Sequence, residues 1–247
     1  MKQTGAEWVV RPTVEAVAEE FCQRLGERLA ARRAGDEPLS IALTGGDSAR
    51  AFYEGWAKRY TAADAANWDR AACAFYWSDE RIVPADDADS NYRLARETLL
   101  TPAEIPAALA HRVPTEEAQP AERYAATVRR QVRAGADGIP RFAILILGLG
   151  EDGHTASLFP GTDVYADDAA LVRRAAGTAA HPHDRVTFTP ALINAAREVW
   201  FVISGAAKAQ AVRALRERRK SVREVPSLVA DPAKTSVTYF ADRAAAG

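Results

Sequence analysis

Two rhythms of apolar and polar residues alternate along the chain. After a short apolar run at residues 7–10, Val14, Val17, Phe21, Leu25 and Leu29 recur every three to four positions behind Thr13, a residue type suited to cap a helix. Residues 39–43 then form a compact run of strand character, and a helix is expected beyond Ser48 with Phe52, Tyr53 and Trp56 on one side. The alternation continues with a strand at 72–77, a loop through Pro84 and a helix that Ser90 can cap. A polar-faced helix over 119–133 leads to the strongest apolar run, 142–147. A strand near Leu171, a segment at 185–190 that opens a short helix, a strand at 198–203, a helix from about Lys208 and a strand at 236–239 complete the series.

Strand, loop and helix in this repetition predict an α/β fold: one doubly wound, mostly parallel sheet with helices on both faces, Rossmann-like, joined by right-handed crossovers. No internal repeat or Gly/Ser linker interrupts it, so residues 1–247 are read as a single domain. Ligands in such sheets bind beyond the carboxyl ends of the strands. Three polar clusters, at 44–48, 78–81 and 148–155, each follow a predicted strand and should meet at that edge.

Composition narrows the class. Hydrophobic residues make up 48% and charged residues 26%, which excludes disordered and disulfide-rich chains. With 32 Lys+Arg against 33 Asp+Glu the net charge is −1, so no long-range field attracts nucleic acid or an anionic membrane. The one basic run, from Arg213 to Arg223, lacks interleaved aromatics, contains Glu217 and reads as a solvated helix face. Cys22 and Cys73 have no metal or redox spacing and read as buried thiols. No apolar run approaches the roughly 18 residues of a membrane span, and the first residues lack a signal-peptide core, so the cytoplasm is expected.

Each cluster has a chemistry. Paired glycines at Gly45-Gly46, between a strand and a helix, let backbone N–H groups close on an anion, although a tight capped turn explains them equally well. Asp47 would repel a phosphate there unless turned into the cap. Gly148, Gly150 and Gly153 match G-x-G-x-x-G, but Pro160-Gly161 halts any helix within two turns. The pair Asp167-Asp168 also precedes the next apolar run instead of ending it, so no nicotinamide or flavin cofactor is expected. His154 sits beside Asp152 in that loop, where an imidazole can take a proton from water and a carboxylate can support it. Asp79, Glu80 and Arg81 offer carboxylates and a guanidinium that fits phosphate oxygens, or form a local ion pair. The spacing of His181-Pro182-His183-Asp184 fails the H-x-H-x-D-H metal pattern, and no metal is expected. No G-x-S-x-G elbow supports a serine nucleophile.

Together these segments resemble the 6-phosphogluconolactonases. Residues 148–160, G-L-G-E-D-G-H-T-A-S-L-F-P, follow that family's G-x-G-x-D-G-H-T-A-S-L-F-P nearly residue for residue. The stretch from Trp77 to Pro84, continuing to Tyr92, is similar to its D-E-R-x-V-P…S-N segment. Arg185 to Arg197, then Ser204 to Lys208, is similar to its R-V-T-x-T…L-N-x-A-R…G-x-x-K segment. One departure is the first loop, commonly G-G-S-T-P and here Gly45-Gly46-Asp47-Ser48-Ala49. Related amino-sugar-phosphate deaminases follow D-G-H with an asparagine-glutamate pair, where this chain has Ser157-Leu158-Phe159.

The resemblance implies hydrolysis of 6-phospho-D-glucono-1,5-lactone, a step of the oxidative pentose phosphate pathway, without metal or cofactor. His154 is the implied general base, with Asp152 setting its tautomer and glycine-loop N–H groups facing the oxyanion. Gly45, Gly46, Ser48, Asp79, Arg81, Arg185 and Lys208 are the implied substrate-binding residues. The small-molecule lactone is the expected partner, with no nucleic acid or membrane, and the chain acts as a monomer or small homo-oligomer. A sugar-phosphate isomerase or deaminase, or a sugar-phosphate sensor, is the alternative.

Overall fold

The computed structural model describes residues 5–33, 35–61, 69–163 and 170–247. In chain order its principal elements are β1 (Gly5–Arg11), α1 (Val14–Ala30), β2 (Leu39–Leu43), α2 (Asp47–Thr61), β3 (Cys73–Trp77), β4 (Asp79–Arg81), α3 (Asn91–Ala95) and α4 (Pro120–Gln131). There follow β5 (Ile144–Gly148), β6 (Val172–Ala175), β7 (Arg185–Phe188), α5 (Pro190–Ala195), β8 (Glu198–Ile203), α6 (Ala209–Glu217), β9 (Ser236–Asp242) and α7 (Arg243–Ala246). The expected caps are present: Thr13 accepts from the Ala16 amide at 3.3 Å, and Ser90 from that of Arg93 at 3.1 Å. The acidic pair Asp167-Asp168 lies outside the described residues.

Six strands form a parallel sheet in the order β1-β9-β8-β5-β2-β3. Burial on both faces explains why its central strands read as continuous apolar runs. On one face Phe21 of α1 packs edge-on against Phe52 of α2, Trp200 of β8 and Phe240 of β9, at 5.2–5.4 Å between ring centroids. On the other face Tyr239 stacks with Trp8 and Phe201, and Arg216 of α6 lies over the Trp8 ring at 4.5 Å. Helices therefore cover both faces, as expected. Arg216 of the basic run is committed to this packing.

Three strands leave the main sheet. β4, β7 and β6 form a small antiparallel sheet, with Asp79 opposite Thr187 and Arg81 opposite Arg185. The divergence occurs at buried Ser78, whose amide and hydroxyl both donate to the Leu43 carbonyl while its own carbonyl accepts from Phe188. The segment at 185–190, expected to open a short helix, does so at Pro190, but its first four residues are the strand β7, whose partners β4 and β6 lie far away in sequence.

Winding reverses between β2 and β5: the chain goes from β2 outward to β3, then returns to place β5 on the other side of β2. Loops after β2 and β5 diverge there and open a crevice at the carboxyl ends. Two buried tyrosines fix the strand ends beside it. The Tyr53 hydroxyl donates to the Thr44 carbonyl and accepts from the Thr44 amide, at 2.8 and 2.9 Å. Tyr124 of α4 does the same for the Trp77 peptide groups, at 3.1 and 2.7 Å. Each hydroxyl satisfies a buried N–H and C=O where no ladder continues.

Candidate active site

A cavity of about 390 Å³ opens at this crevice. Gly45, Gly46 and Ser48 enter from the loop after β2 and the start of α2, His154 from the loop after β5, and Lys208 from the turn after β8. Asp79 and Arg81 of β4 and Arg185 of β7 close the opposite wall. All eight line the cavity, and Asp152 stands behind His154. The nine residues expected from sequence are thus brought together.

The loop after β5 turns without forming a helix, unlike a dinucleotide site. A Cβ on Gly150 would lie 2.1 Å from His154 Nδ1, so only glycine lets that ring approach so closely. Asp152 Oδ1 accepts from the His154 amide at 3.0 Å and lies 2.6 Å from its Nδ1. Burial alone would raise the Asp152 carboxyl, but hydrogen bonds from the His154 ring and amide, with the charges of His154 and His181, outweigh it and hold it down to about 2. An ionised carboxylate only accepts, so the neutral imidazole carries its proton on Nδ1 and presents an Nε2 lone pair.

Cations occupy the facing wall. Arg185 is 5% exposed, its guanidinium 5.3 Å above the Phe159 ring and 3.8 Å from Asp79 Oδ2. Burial lowers its pKa, with Asp79 opposing. Asp79 is occupied within the protein, accepting from Ser157 Oγ at 2.7 Å and from Asn91 Nδ2 at 3.3 Å. Arg81 donates to the Asp89 carbonyl at 2.6 Å. The buried Nε atoms of Arg81 and Arg185 both lack a hydrogen-bond acceptor, and half-buried Lys208 has no ion-pair partner among the described residues. Two guanidinium groups and an ammonium lining one cavity suit an oxyanion. The amino end of α2 adds its first amides and its dipole. Asp47 opens that helix and also lines the cavity, so the departure from the usual first loop sets a carboxylate beside the cations.

Glycine amides in the loop after β5 are mostly committed. Gly148 donates to Thr44 Oγ1, Gly150 to the His154 carbonyl and Gly153 to the Gly150 carbonyl. The expectation that glycine-loop amides face an oxyanion therefore narrows to Gly45 and Gly46.

Four residues join the site that the sequence reading did not place there. His181 stacks on Phe159 at 4.9 Å and meets the His154 ring edge-on at the same distance. Burial, then the charges of His154 and Arg185, lowers its pKa. Asn91 is buried against Gly45, where a Cβ would fall 1.8 Å from Asn91 Oδ1. Ser204 shares a 2.9 Å hydroxyl contact with Ser48, and Ser157 anchors Asp79. His181 and Asn91 stood in segments already singled out; their convergence required the fold. Donor atoms of Asp152, His154 and His181 lie within 4.8 Å of one another, the one group among the described residues spaced to hold a metal ion. His183 and Asp184 turn elsewhere, to Asp89 and Arg174.

A family model, glucosamine-6-phosphate isomerases/6-phosphogluconolactonase, matches residues 12–239. A probable 6-phosphogluconolactonase 3, chloroplastic, of Oryza sativa subsp. indica is 32% identical over 240 residues, covering 94% of this chain and 71% of that protein. A 6-phosphogluconolactonase of Synechocystis sp. is 38% identical over 176 residues, covering 70% and 69%. The solved 6-phosphogluconolactonase from Trypanosoma brucei superposes with a TM-score of 0.85 at 28% identity, over 98% of each chain.

Proposed function

Because the chain belongs to the glucosamine-6-phosphate isomerase/6-phosphogluconolactonase family, we propose that it is a lactonase hydrolysing 6-phospho-D-glucono-1,5-lactone to 6-phospho-D-gluconate in the pentose phosphate pathway. One observation carries the assignment: a His154–Asp152 pair at 2.6 Å meets, in one cavity, the cationic side chains of Arg81, Arg185 and Lys208. Ser157-Leu158-Phe159 after D-G-H, with Ser157 used structurally on Asp79, favours the lactonase over a deaminase.

The phosphate sits among Arg81, Arg185, Lys208 and the start of α2, remote from the reacting carbon. That contact fixes the lactone so that its carbonyl lies near His154. His154 Nε2 draws a proton from water as the water oxygen bonds to the carbonyl carbon. The ring C–O bond then breaks, and the imidazolium returns the proton to the departing ring oxygen. Asp152 keeps Nδ1 protonated and supports the imidazolium charge. The Gly45–Gly46 amides stabilise the developing oxyanion. No step needs a metal ion or a cofactor, and the activity resides in one domain. A cytoplasmic setting accords with Cys22 and Cys73 forming no disulfide.

The test is lactone disappearance in EDTA, with spontaneous hydrolysis subtracted, for the parent protein and a folded His154→Ala variant. The parent should retain full activity, and the variant should lose about 10²–10⁴-fold in kcat with little change in KM. Absence of parental activity above background overturns the assignment.

A further inference from the structure

We propose that a second cavity, at the opposite pole of the sheet, is an anion site for a small molecule carrying a diphosphate group. It lies at the amino ends of β2, β5 and β8 and against β3, with a volume of about 570 Å³, a size suited to a small ligand. Arg32, Arg130, Arg133, Arg141 and Arg197 reach it from separate parts of the chain, and Asp36 and Glu37 are the acids that face them. With Asp137, which pairs with Arg141, counted beside these two acids, five guanidinium groups against three carboxylates leave an excess of two positive charges.

Two of these arginines are occupied. Arg141 bonds Asp137 and the Ala195 carbonyl, and Arg32 bonds the carbonyls of Asp36 and Glu37. Arg130, Arg133 and Arg197 have neither an ion pair nor a side-chain hydrogen bond among the described residues. Arg130 belongs to the last turn of α4 and Arg32 follows the end of α1, where basic residues complement the helix dipole. That explanation does not reach Arg133 or Arg197.

Tyr76 supplies an independent observation. It is 1% exposed, its ring stacked on His111 at 4.8 Å and edge-on to Phe142 at 5.2 Å, yet it lines this cavity and its hydroxyl has no hydrogen-bond partner among the described residues. The hydroxyl reaches the cavity, where a phosphate oxygen can accept from it. Burial pushes the Tyr76 phenol up to about 12, so it remains a donor at neutral pH. Ser40 Oγ accepts from the Ala143 amide at 3.1 Å and keeps its own O–H to donate. Three uncommitted guanidinium groups and two hydroxyl donors match a diphosphate in charge and in donor count.

The experiment is calorimetric titration of inorganic pyrophosphate at low ionic strength into the full chain carrying Arg81→Ala and Lys208→Ala, which disables the first cavity. One saturating site is expected, weakened at least tenfold by adding Arg133→Gln and Arg197→Gln and several-fold by Tyr76→Phe. Lactone turnover by the Arg133→Gln/Arg197→Gln protein, with Arg81 and Lys208 intact, reports that these surface changes leave the fold in place. ADP titrated in parallel separates a free from an organic diphosphate, and binding of either satisfies the proposal. Binding of neither, or an affinity unchanged by the arginine and tyrosine substitutions, overturns it.

Discussion

At the residue scale, the chemistry rests on which nitrogen of His154 carries the proton. Asp152, held ionised, can only accept from Nδ1, and that leaves Nε2 as the base. An asparagine at this position can offer an N–H instead and support the opposite tautomer. Asp152→Asn should therefore lower kcat at least about 10²-fold while KM stays within a factor of about three, measured at saturating lactone. Asp47 is the first of the three positions, 47–49, at which this chain departs from the usual first loop. Its carboxylate lines the cavity beside the cations and opposes a bound phosphate. Asp47→Asn should lower KM several-fold at low salt, an effect that fades as ionic strength rises, and should weaken α2 by about 0.3–1 kcal/mol through loss of a favourable charge at its amino end.

At the scale of elements, β4 and α3 are tied together through a buried carboxylate. Glu80 Oε1 accepts from the amides of Arg81 and Asn91, and Oε2 from the Tyr92 amide and Ser90 Oγ, at 2.7–3.2 Å. Burial raises its pKa, against the pull of the Asn91, Tyr92 and Arg81 amides, to about 7 from an ordinary 4.5. The folded chain then holds this proton more tightly than the unfolded one. Glu80's contribution to stability is full below about pH 4.5 and declines as pH rises towards 7. Tm followed across that window should fall, and Glu80→Gln, which does not titrate, should flatten the decline. The same substitution turns an amide N–H towards donors that a carboxylate satisfied, so Glu80→Gln should be less stable than the parent at pH 8. The Glu80 side chain gave no such signal in the sequence, where it was one carboxylate of a strand-end cluster; its four donors come from residues 81 and 90–92.

Across the whole molecule, the phosphate contacts come from elements that share no local sequence. Arg81 belongs to β4 of the small sheet, and Lys208 follows β8 of the large one. If both hold one phosphate, their effects are coupled. Arg81→Ala and Lys208→Ala should each raise KM about tenfold or more, and the double variant should fall short of the product of the two by a coupling of about 0.5–3 kcal/mol in a double-mutant cycle. Independent effects on KM would assign the two cations to different parts of the substrate. The two cavities lie at opposite poles of the parallel sheet, one at strand carboxyl ends and the other at amino ends.

Local sequence sufficed for the strands of the main sheet, the longer helices, the edge at which the loops gather and the His154–Asp152 pair, but not for β4 or β7 of the small sheet. Each is written in residues a few positions apart: three-to-four spacing behind Thr13, unbroken apolar runs such as 142–147, and a carboxylate two residues before an imidazole in a glycine-rich turn. Tertiary structure alone decided what depends on distant partners. Ser78 takes β4 out of the main sheet by bonding to Leu43 and Phe188, and His181 meets His154 across a loop. Asn91 fills the space that Gly45 leaves, and the amides of Gly148, Gly150 and Gly153 are consumed before any ligand reaches them. Periodicity records which face of an element is buried; which residues meet there is set by strand order and register, and those are fixed only when the whole chain closes on itself.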